Sequence, residues 1–183
     1  MEHSAPGASS RWFTSANALT GLRLLAAPLL ALAILDGLAL EALALFVLAV
    51  ATDFLDGAVA RRRGEATALG GLLDHTTDAA FVVVGLSALA VAGPVPGLLP
   101  WMIAAAFLQY AIDSRASGRR ALRASSLGRI NGIAYYVLLG IPVVRDGLEI
   151  LWPPDGWVAV IGWVLVASTA ASMIDRLVAA RSR

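Results

Sequence analysis

The chain has 183 residues, of which 58% are hydrophobic and only 15% are charged, and its mean hydropathy is +0.76. A soluble domain carries roughly 25% charged residues, so these values indicate an integral membrane protein. The formal net charge is +1 and no strongly basic patch stands out from the apolar background, so nucleic-acid binding is not expected. The absence of cysteine excludes disulfides, thiolate metal sites and cysteine nucleophiles.

Six apolar segments follow one another along the chain, each close to the roughly 20 residues that a helix needs to cross a bilayer. They lie at 17–35, 38–60, 70–92, 98–113, 130–146 and 156–176, separated by turn-forming residues such as Asp36-Gly37 and Pro153-Pro154. The sequence therefore predicts an all-α fold: a polytopic six-transmembrane-helix bundle over 17–176, preceded by segment 1–16 and followed by a tail at 177–183.

The arginines are distributed unevenly between the two ends of these helices. Only Arg145 falls on one side, whereas the other side holds Arg11, Arg23, Arg61, Arg62, Arg63, Arg115, Arg119, Arg120, Arg123, Arg129, Arg176, Arg181 and Arg183. Cytoplasmic loops carry an excess of Lys and Arg, so both termini are predicted to face the cytoplasm, with segment 1–16 lying free or on the membrane surface. A cleaved signal peptide at 24–35 is the alternative, but Pro28 and the arginine alternation argue against it.

Four aspartates occur where a membrane span should exclude them, since each costs about 2.5–3.5 kcal/mol at a helix centre. Asp53 and Asp56 lie three residues apart near the end of the second helix, and Asp74 and Asp78 lie four apart near the start of the third. Each pair therefore shares one helix face. The short connection makes the two helices antiparallel, so all four carboxylates are expected to converge at one depth.

Converging carboxylates need cations to neutralise them. Oxygen-only ligands favour hard divalent ions such as Mg²⁺ or Mn²⁺, and four carboxylates suffice for a two-metal site of the kind that handles phosphates. Gly57, Ala60 and Gly70 flank the acids on the same faces, where their small size would admit a bulky ligand, although such residues also serve helix packing.

The segment reads Asp53-x-x-Asp56-Gly57-x-x-Ala60-Arg61, then Gly70-x-x-x-Asp74-x-x-x-Asp78. This pattern resembles the signature of the CDP-alcohol phosphatidyltransferase family at all eight positions. The resemblance implies a homodimeric enzyme of phospholipid biosynthesis in the cytoplasmic (inner) membrane, with six transmembrane helices forming the catalytic domain and an active site open to the cytoplasm.

By the same resemblance, the four aspartates would hold the metal ions that bind the diphosphate of CDP-diacylglycerol. Gly57, Ala60 and Gly70 would leave room for the CDP moiety, with Arg61 near its phosphates. Asp78 would also act as the general base that activates an alcohol acceptor, and CMP would be released.

The acceptor is the open part of this prediction. The connection between the fourth and fifth helices carries basic residues that fit either plain membrane topology or an anionic acceptor: Arg115, Arg119, Arg120, Arg123 and Arg129. Ser126-Leu127-Gly128-Arg129 is similar to the start of the fifth helix in phosphatidylglycerophosphate synthases, but the following Lys-Thr is missing. We expect glycerol 3-phosphate or another phosphorylated polyol, with inositol, serine or a lipid acceptor as alternatives.

Two further features have competing interpretations. Asn17-Ala18-Leu19-Thr20-x-x-Arg23 is similar to the first helix of the glycerol-phosphate-using branch; either it caps the helix while Arg23 extends to the interface, or it contacts substrate. His75 lies about 100° around the helix from Asp74, which favours a structural or acceptor-facing role over that of the base.

Two other classes of function compete with the enzyme. Acids within spans also mark transporters, but the later helices lack the polar residues at several depths that a conduction path needs. An inactive scaffold would have no need for every acid of the signature.

Overall fold

The computed structural model describes residues 15–63, 68–116 and 126–181, with side chains described over 21–54, 75–113 and 127–179. These residues form six helices and no strand: α1 (Ser15–Leu35), α2 (Ala39–Arg63), α3 (Ala68–Ala92), α4 (Leu98–Ala116), α5 (Ser126–Gly147) and α6 (Asp155–Arg181). The predicted all-α, six-helix architecture is confirmed.

The helix boundaries differ from the apolar segments in a consistent direction. At the arginine-poor side the ends agree to within one residue, but at the arginine-rich side every helix extends two to five residues further. α5 begins at Ser126 instead of 130, and α6 continues to Arg181 instead of 176. At the ends of α2, α4 and α6 the added residues include arginine and, in α4 and α6, alanine; both are good helix formers, so the backbone hydrogen bonding continues after the apolar stretch stops.

Three of the described helices contain a segment long and apolar enough to cross a membrane by length and composition. These are His75–Ala92 in α3, Leu127–Gly147 in α5 and Asp155–Ala179 in α6. α1 and α4 contain the shorter apolar segments Gly21–Leu35 and Leu98–Asp113. Large apolar side chains such as Leu25 and Trp101 are exposed on the outside of the bundle, as expected for a membrane-embedded protein.

The turns at the arginine-poor side are closed by main-chain hydrogen bonds. After α1, the Leu38 amide donates to the Ala33 carbonyl at 2.8 Å and the Gly37 amide donates to the Ile34 carbonyl at 3.2 Å. Gly37 has a φ of 70°, the left-handed conformation that this cap requires and that glycine adopts without steric cost. The cap reverses the chain, so α2 runs back beside α1.

The core lies where α1, α2, α3 and α5 meet, and it includes the fully buried residues Leu30, Phe81 and Leu138. Glycines bring α5 close to α2: a Cβ at Gly140 would lie 2.8 Å from Cζ of Phe46. Close helix approach through small residues is the usual way in which membrane helices pack. The acid-bearing helices α2 and α3 both pack against α1 and α5.

α6 is attached to α4 and α5 by polar contacts along one face. Ser168 donates to Oδ1 of Asn131 at 2.7 Å, Gln109 donates to the Met173 carbonyl at 3.2 Å, and the hydroxyls of Tyr135 and Thr169 are 2.6 Å apart. Buried polar groups need such partners, especially within a membrane. These contacts hold α4, α5 and α6 together as one side of the bundle.

Candidate active site

Two of the four predicted metal-binding aspartates meet at a single arginine. Nη2 of Arg23 donates to Oδ1 of Asp53 at 2.9 Å, and Nη1 of Arg23 donates to Oδ1 of Asp78. Arg23 lies on α1, Asp53 on α2 and Asp78 on α3. Helices α2 and α3 therefore do bring one acid from each pair to a common place.

Most of the other predicted site residues have side chains outside the described set. Asp56, Gly57, Ala60 and Arg61 lie on α2, Gly70 and Asp74 on α3, and Arg115 on α4, but their side chains are outside the described set. Arg119, Arg120 and Arg123 lie outside the described residues altogether. Convergence of all four acids therefore stays a prediction.

Arg23 does not extend to the membrane interface as one interpretation of the first helix expected. Its side chain is fully buried and bonded to two carboxylates, so that expectation was wrong. A buried guanidinium needs anionic partners, and the acids of α2 and α3 supply them within the bundle. The sequence contained a signal for this burial. Arg23 is the one charged residue of an apolar helix, and no acidic residue lies one helical turn from it.

Tyr136 of α5 is a second donor to Asp78, and its role was not anticipated. Its hydroxyl donates to Oδ1 of Asp78 at 3.1 Å, the same oxygen that Arg23 contacts. Its ring stacks on Phe81, with centroids 6.1 Å apart and planes 16° from parallel. The polar end of Tyr136 and its apolar ring thus both contact α3.

The carboxylates open into a cavity of about 590 Å³. Its lining comes from α2 to α6 and includes Asp53, His75, Asp78, Tyr110, Arg129 and Arg176. A cavity of this size accommodates a substantial small-molecule group. His75 is exposed and lines the same cavity.

Two arginines face this cavity without a carboxylate partner among the described side chains. Arg129 is exposed, and the Arg176 guanidinium lies over the Tyr110 ring, 5.3 Å from its centroid. Arg129 belongs to the predicted acceptor set, whereas Arg176 was assigned only to membrane topology. Its place near the cavity follows from the packing of α6 against α4, which the sequence does not show.

The donor chemistry fits the divalent cation that the signature implies. Asp53 and Asp78 already share one positive group, and their side chains keep 44% and 23% of their surface exposed, so both can accept a further cation. No three His, Cys, Asp or Glu side chains come together within the described set. Asp56 and Asp74, which would complete the ligand shell, are outside that set.

Comparison with known proteins establishes the family of the chain. The family model for CDP-alcohol phosphatidyltransferases matches residues 13–173, which include the whole aspartate signature. The chain belongs to the CDP-alcohol phosphatidyltransferase family. The resemblance predicted from the signature is thus confirmed over most of the chain, from the start of α1 into α6.

A curated relative comes from Cereibacter sphaeroides and is named CDP-diacylglycerol–glycerol-3-phosphate 3-phosphatidyltransferase. It is 35% identical to this chain over 148 residues. The match covers 73% of this chain and 64% of the relative, so the chain spans slightly less than two thirds of that protein's length.

Proposed function

We propose that this protein transfers the phosphatidyl group of CDP-diacylglycerol to glycerol 3-phosphate and releases CMP. The observation that carries the proposal is the meeting of Asp53 and Asp78 at the wall of a large cavity within a chain of this family. The name of the Cereibacter sphaeroides relative supports the same donor and acceptor.

Asp53, Asp56, Asp74 and Asp78 would hold Mg²⁺ or Mn²⁺, in a two-metal arrangement. Bound there, the cations would supply positive charge to the diphosphate of the CDP-lipid as negative charge shifts to the leaving group. Gly57, Ala60 and Gly70 would leave space for the CDP moiety, and Arg61 would lie near its phosphates. Asp53 and Asp78 reach this region from two different helices, which fits their place in the ligand set.

Asp78 is the proposed general base. Its carboxylate takes the proton from the acceptor hydroxyl as that oxygen attacks the phosphorus bonded to diacylglycerol. The bond from this phosphorus to the bridging oxygen breaks, and its electron pair leaves with CMP. A phosphoanhydride is exchanged for a phosphodiester, so the donor itself supplies the driving force.

The acceptor would bind on the α5 and α6 side of the cavity. Arg129 and Arg176 line it and supply guanidinium groups, which suit phosphate recognition. Arg115, Arg119, Arg120 and Arg123 belong to the same proposal through the connection between α4 and α5. A phosphorylated polyol matches these charges better than a free alcohol such as inositol or serine.

The positive-inside distribution of arginines supports a place in the cytoplasmic membrane, with both termini and the active site facing the cytoplasm. We also propose that the chain acts as a homodimer, as the family resemblance implies. The other partners are the lipid donor, the acceptor and the surrounding membrane lipids.

The decisive experiment measures CMP release by the purified protein in detergent. CDP-diacylglycerol is supplied with Mn²⁺ or Mg²⁺ and one acceptor at a time: glycerol 3-phosphate, inositol, inositol phosphate, serine or phosphatidylglycerol. We expect CMP with glycerol 3-phosphate and none when EDTA replaces the metal. CMP release with a different acceptor would correct the substrate, and metal-independent release would contradict the proposed metal site.

A further inference from the structure

The carboxylate of Asp78 receives donors from two helices on one oxygen. Arg23 of α1 and Tyr136 of α5 both donate to Oδ1, while Asp78 itself lies on α3. Two donors that reach one oxygen from separate helices restrict the rotation of the carboxylate. Tertiary contacts from α1 and α5 therefore restrict the orientation of the Asp78 carboxylate.

Tyr136 is held in place by a second contact with the same helix. Phe81 follows Asp78 by three residues, so both side chains lie on one face of α3. Phe81 is fully buried and stacks on the Tyr136 ring. Because the stack fixes the ring relative to α3, the hydroxyl cannot shift away from Asp78 without losing aromatic contact.

The neighbouring tyrosine shows that this contact is specific to Tyr136. Tyr135 also lies on α5, but consecutive residues point about 100° apart on a helix. Its hydroxyl pairs with Thr169 of α6 at 2.6 Å instead of an acid. Both tyrosine hydroxyls have hydrogen-bond partners, but only that of Tyr136 bonds to the proposed base.

The two donors to Asp78 differ in charge, and this separates their effects. Arg23 supplies a positive charge that Asp53 shares, so its removal changes the electrostatics of the entire site. Tyr136 supplies a neutral hydroxyl, so its removal leaves the formal charge of the site unchanged. The loss of the hydroxyl should therefore change the orientation of the Asp78 carboxylate much more than it changes the affinity of the site for substrates or metal.

We infer that Tyr136 is a positioning residue that orients the Asp78 carboxylate towards the acceptor hydroxyl. The stacked Phe81 ring fixes the position of the Tyr136 ring. This inference rests on the proposed function, in which Asp78 is the base. Proton transfer requires the base within hydrogen-bond reach of the acceptor, so a carboxylate that samples other orientations is active for a smaller fraction of the time.

Two single-atom deletions test the inference. Tyr136→Phe keeps the ring stack and removes the hydroxyl, and Tyr135→Phe is the matched control on the same helix. With CDP-diacylglycerol, glycerol 3-phosphate and saturating Mn²⁺, we expect Tyr136→Phe to lower kcat about tenfold, the effect of one lost hydrogen bond. Both KM values and the Mn²⁺ dissociation constant, measured by electron paramagnetic resonance, should stay within about twofold of wild type. Tyr135→Phe should keep kcat within about twofold.

The other outcomes each contradict a different statement. A raised KM for glycerol 3-phosphate with unchanged kcat would mean that Tyr136 contacts substrate and does not position Asp78. Equal losses of kcat in the two variants would mean a general effect of deleting a tyrosine hydroxyl from α5, which also overturns the inference. If the wild-type protein released no CMP with any acceptor, the proposed function would fail and the positioning role would fail with it.

Discussion

Arg23 is the cation that two acidic side chains share at the candidate active site. Replacing it by Met should remove the positive charge that Asp53 and Asp78 share; because both carboxylates are partly exposed, we expect a cost of about 1–3 kcal/mol in folding free energy when no metal is present. A divalent ion at these carboxylates should recover much of that loss. We therefore expect Mn²⁺ to raise the melting temperature of Arg23→Met in detergent more than it raises that of the wild type.

The matched control is Arg145→Met at the opposite end of the bundle. Arg145 donates to Asp146 and Asp155, both at 2.7 Å, and neither acid belongs to the proposed metal site. Its loss of stability should be the same in Mn²⁺ and in EDTA. If the melting temperature of Arg23→Met were also the same in Mn²⁺ and in EDTA, the assignment of Asp53 and Asp78 as metal ligands would be contradicted.

Arg176 lines the cavity and is a candidate for binding the acceptor phosphate. Arg176→Gln removes a guanidinium beside the cavity and should raise the KM for glycerol 3-phosphate about tenfold, with the KM for CDP-diacylglycerol little changed. Arg183→Gln, which removes the same charge beyond the end of α6, serves as the control. Steady-state CMP release distinguishes the two effects, and a selective rise in the CDP-diacylglycerol KM would place Arg176 at the donor instead.

Helix packing depends on small residues at defined positions of α5. A Cβ at Gly147 would lie 2.6 Å from Cβ of Leu43 and 3.0 Å from the Ala39 carbonyl oxygen, so α2 would have to move. Gly147→Ala should therefore destabilise the protein by about 1–3 kcal/mol. Gly132→Ala on the same helix meets no atom within 4 Å and should stabilise it by roughly 0.5–1 kcal/mol. Thermal unfolding in detergent compares them, and equal effects would contradict the α2–α5 contact.

The orientation of the whole molecule in the membrane is directly testable because the chain has no cysteine. Single replacements Asp36→Cys, Leu151→Cys and Ser182→Cys report on the α1–α2 turn, the α5–α6 connection and the C-terminus. On intact cells, a membrane-impermeant maleimide should label positions 36 and 151 and leave 182 unlabelled. Labelling of position 182 from outside the cell would contradict the predicted topology. The aspartates would then lie on the side of the membrane opposite to the cytoplasm.

The helical architecture and the family of this protein could both be predicted from its amino-acid sequence. Membrane helices satisfy their own backbone and must be long and apolar, so composition and length locate them without tertiary information. Asp53, Asp56, Asp74 and Asp78 lie on two consecutive helices joined by a short connection. Their spacing can therefore be recognised directly in the sequence. Helix ends at the arginine-rich side were less accurate, because hydropathy follows apolarity and not backbone hydrogen bonding.

The residues that surround the acids could not be predicted without the packing of the helices. Arg23 and Tyr136 are 55 and 58 residues from Asp78, and Arg176 reaches the cavity through the packing of α6. Such neighbours depend on how six helices are rotated and ordered around one another, which small residues such as Gly140 and Gly147 help to set. No periodicity along one helix specifies contacts of that kind, so the partners of Asp78 emerged only when the helices were assembled.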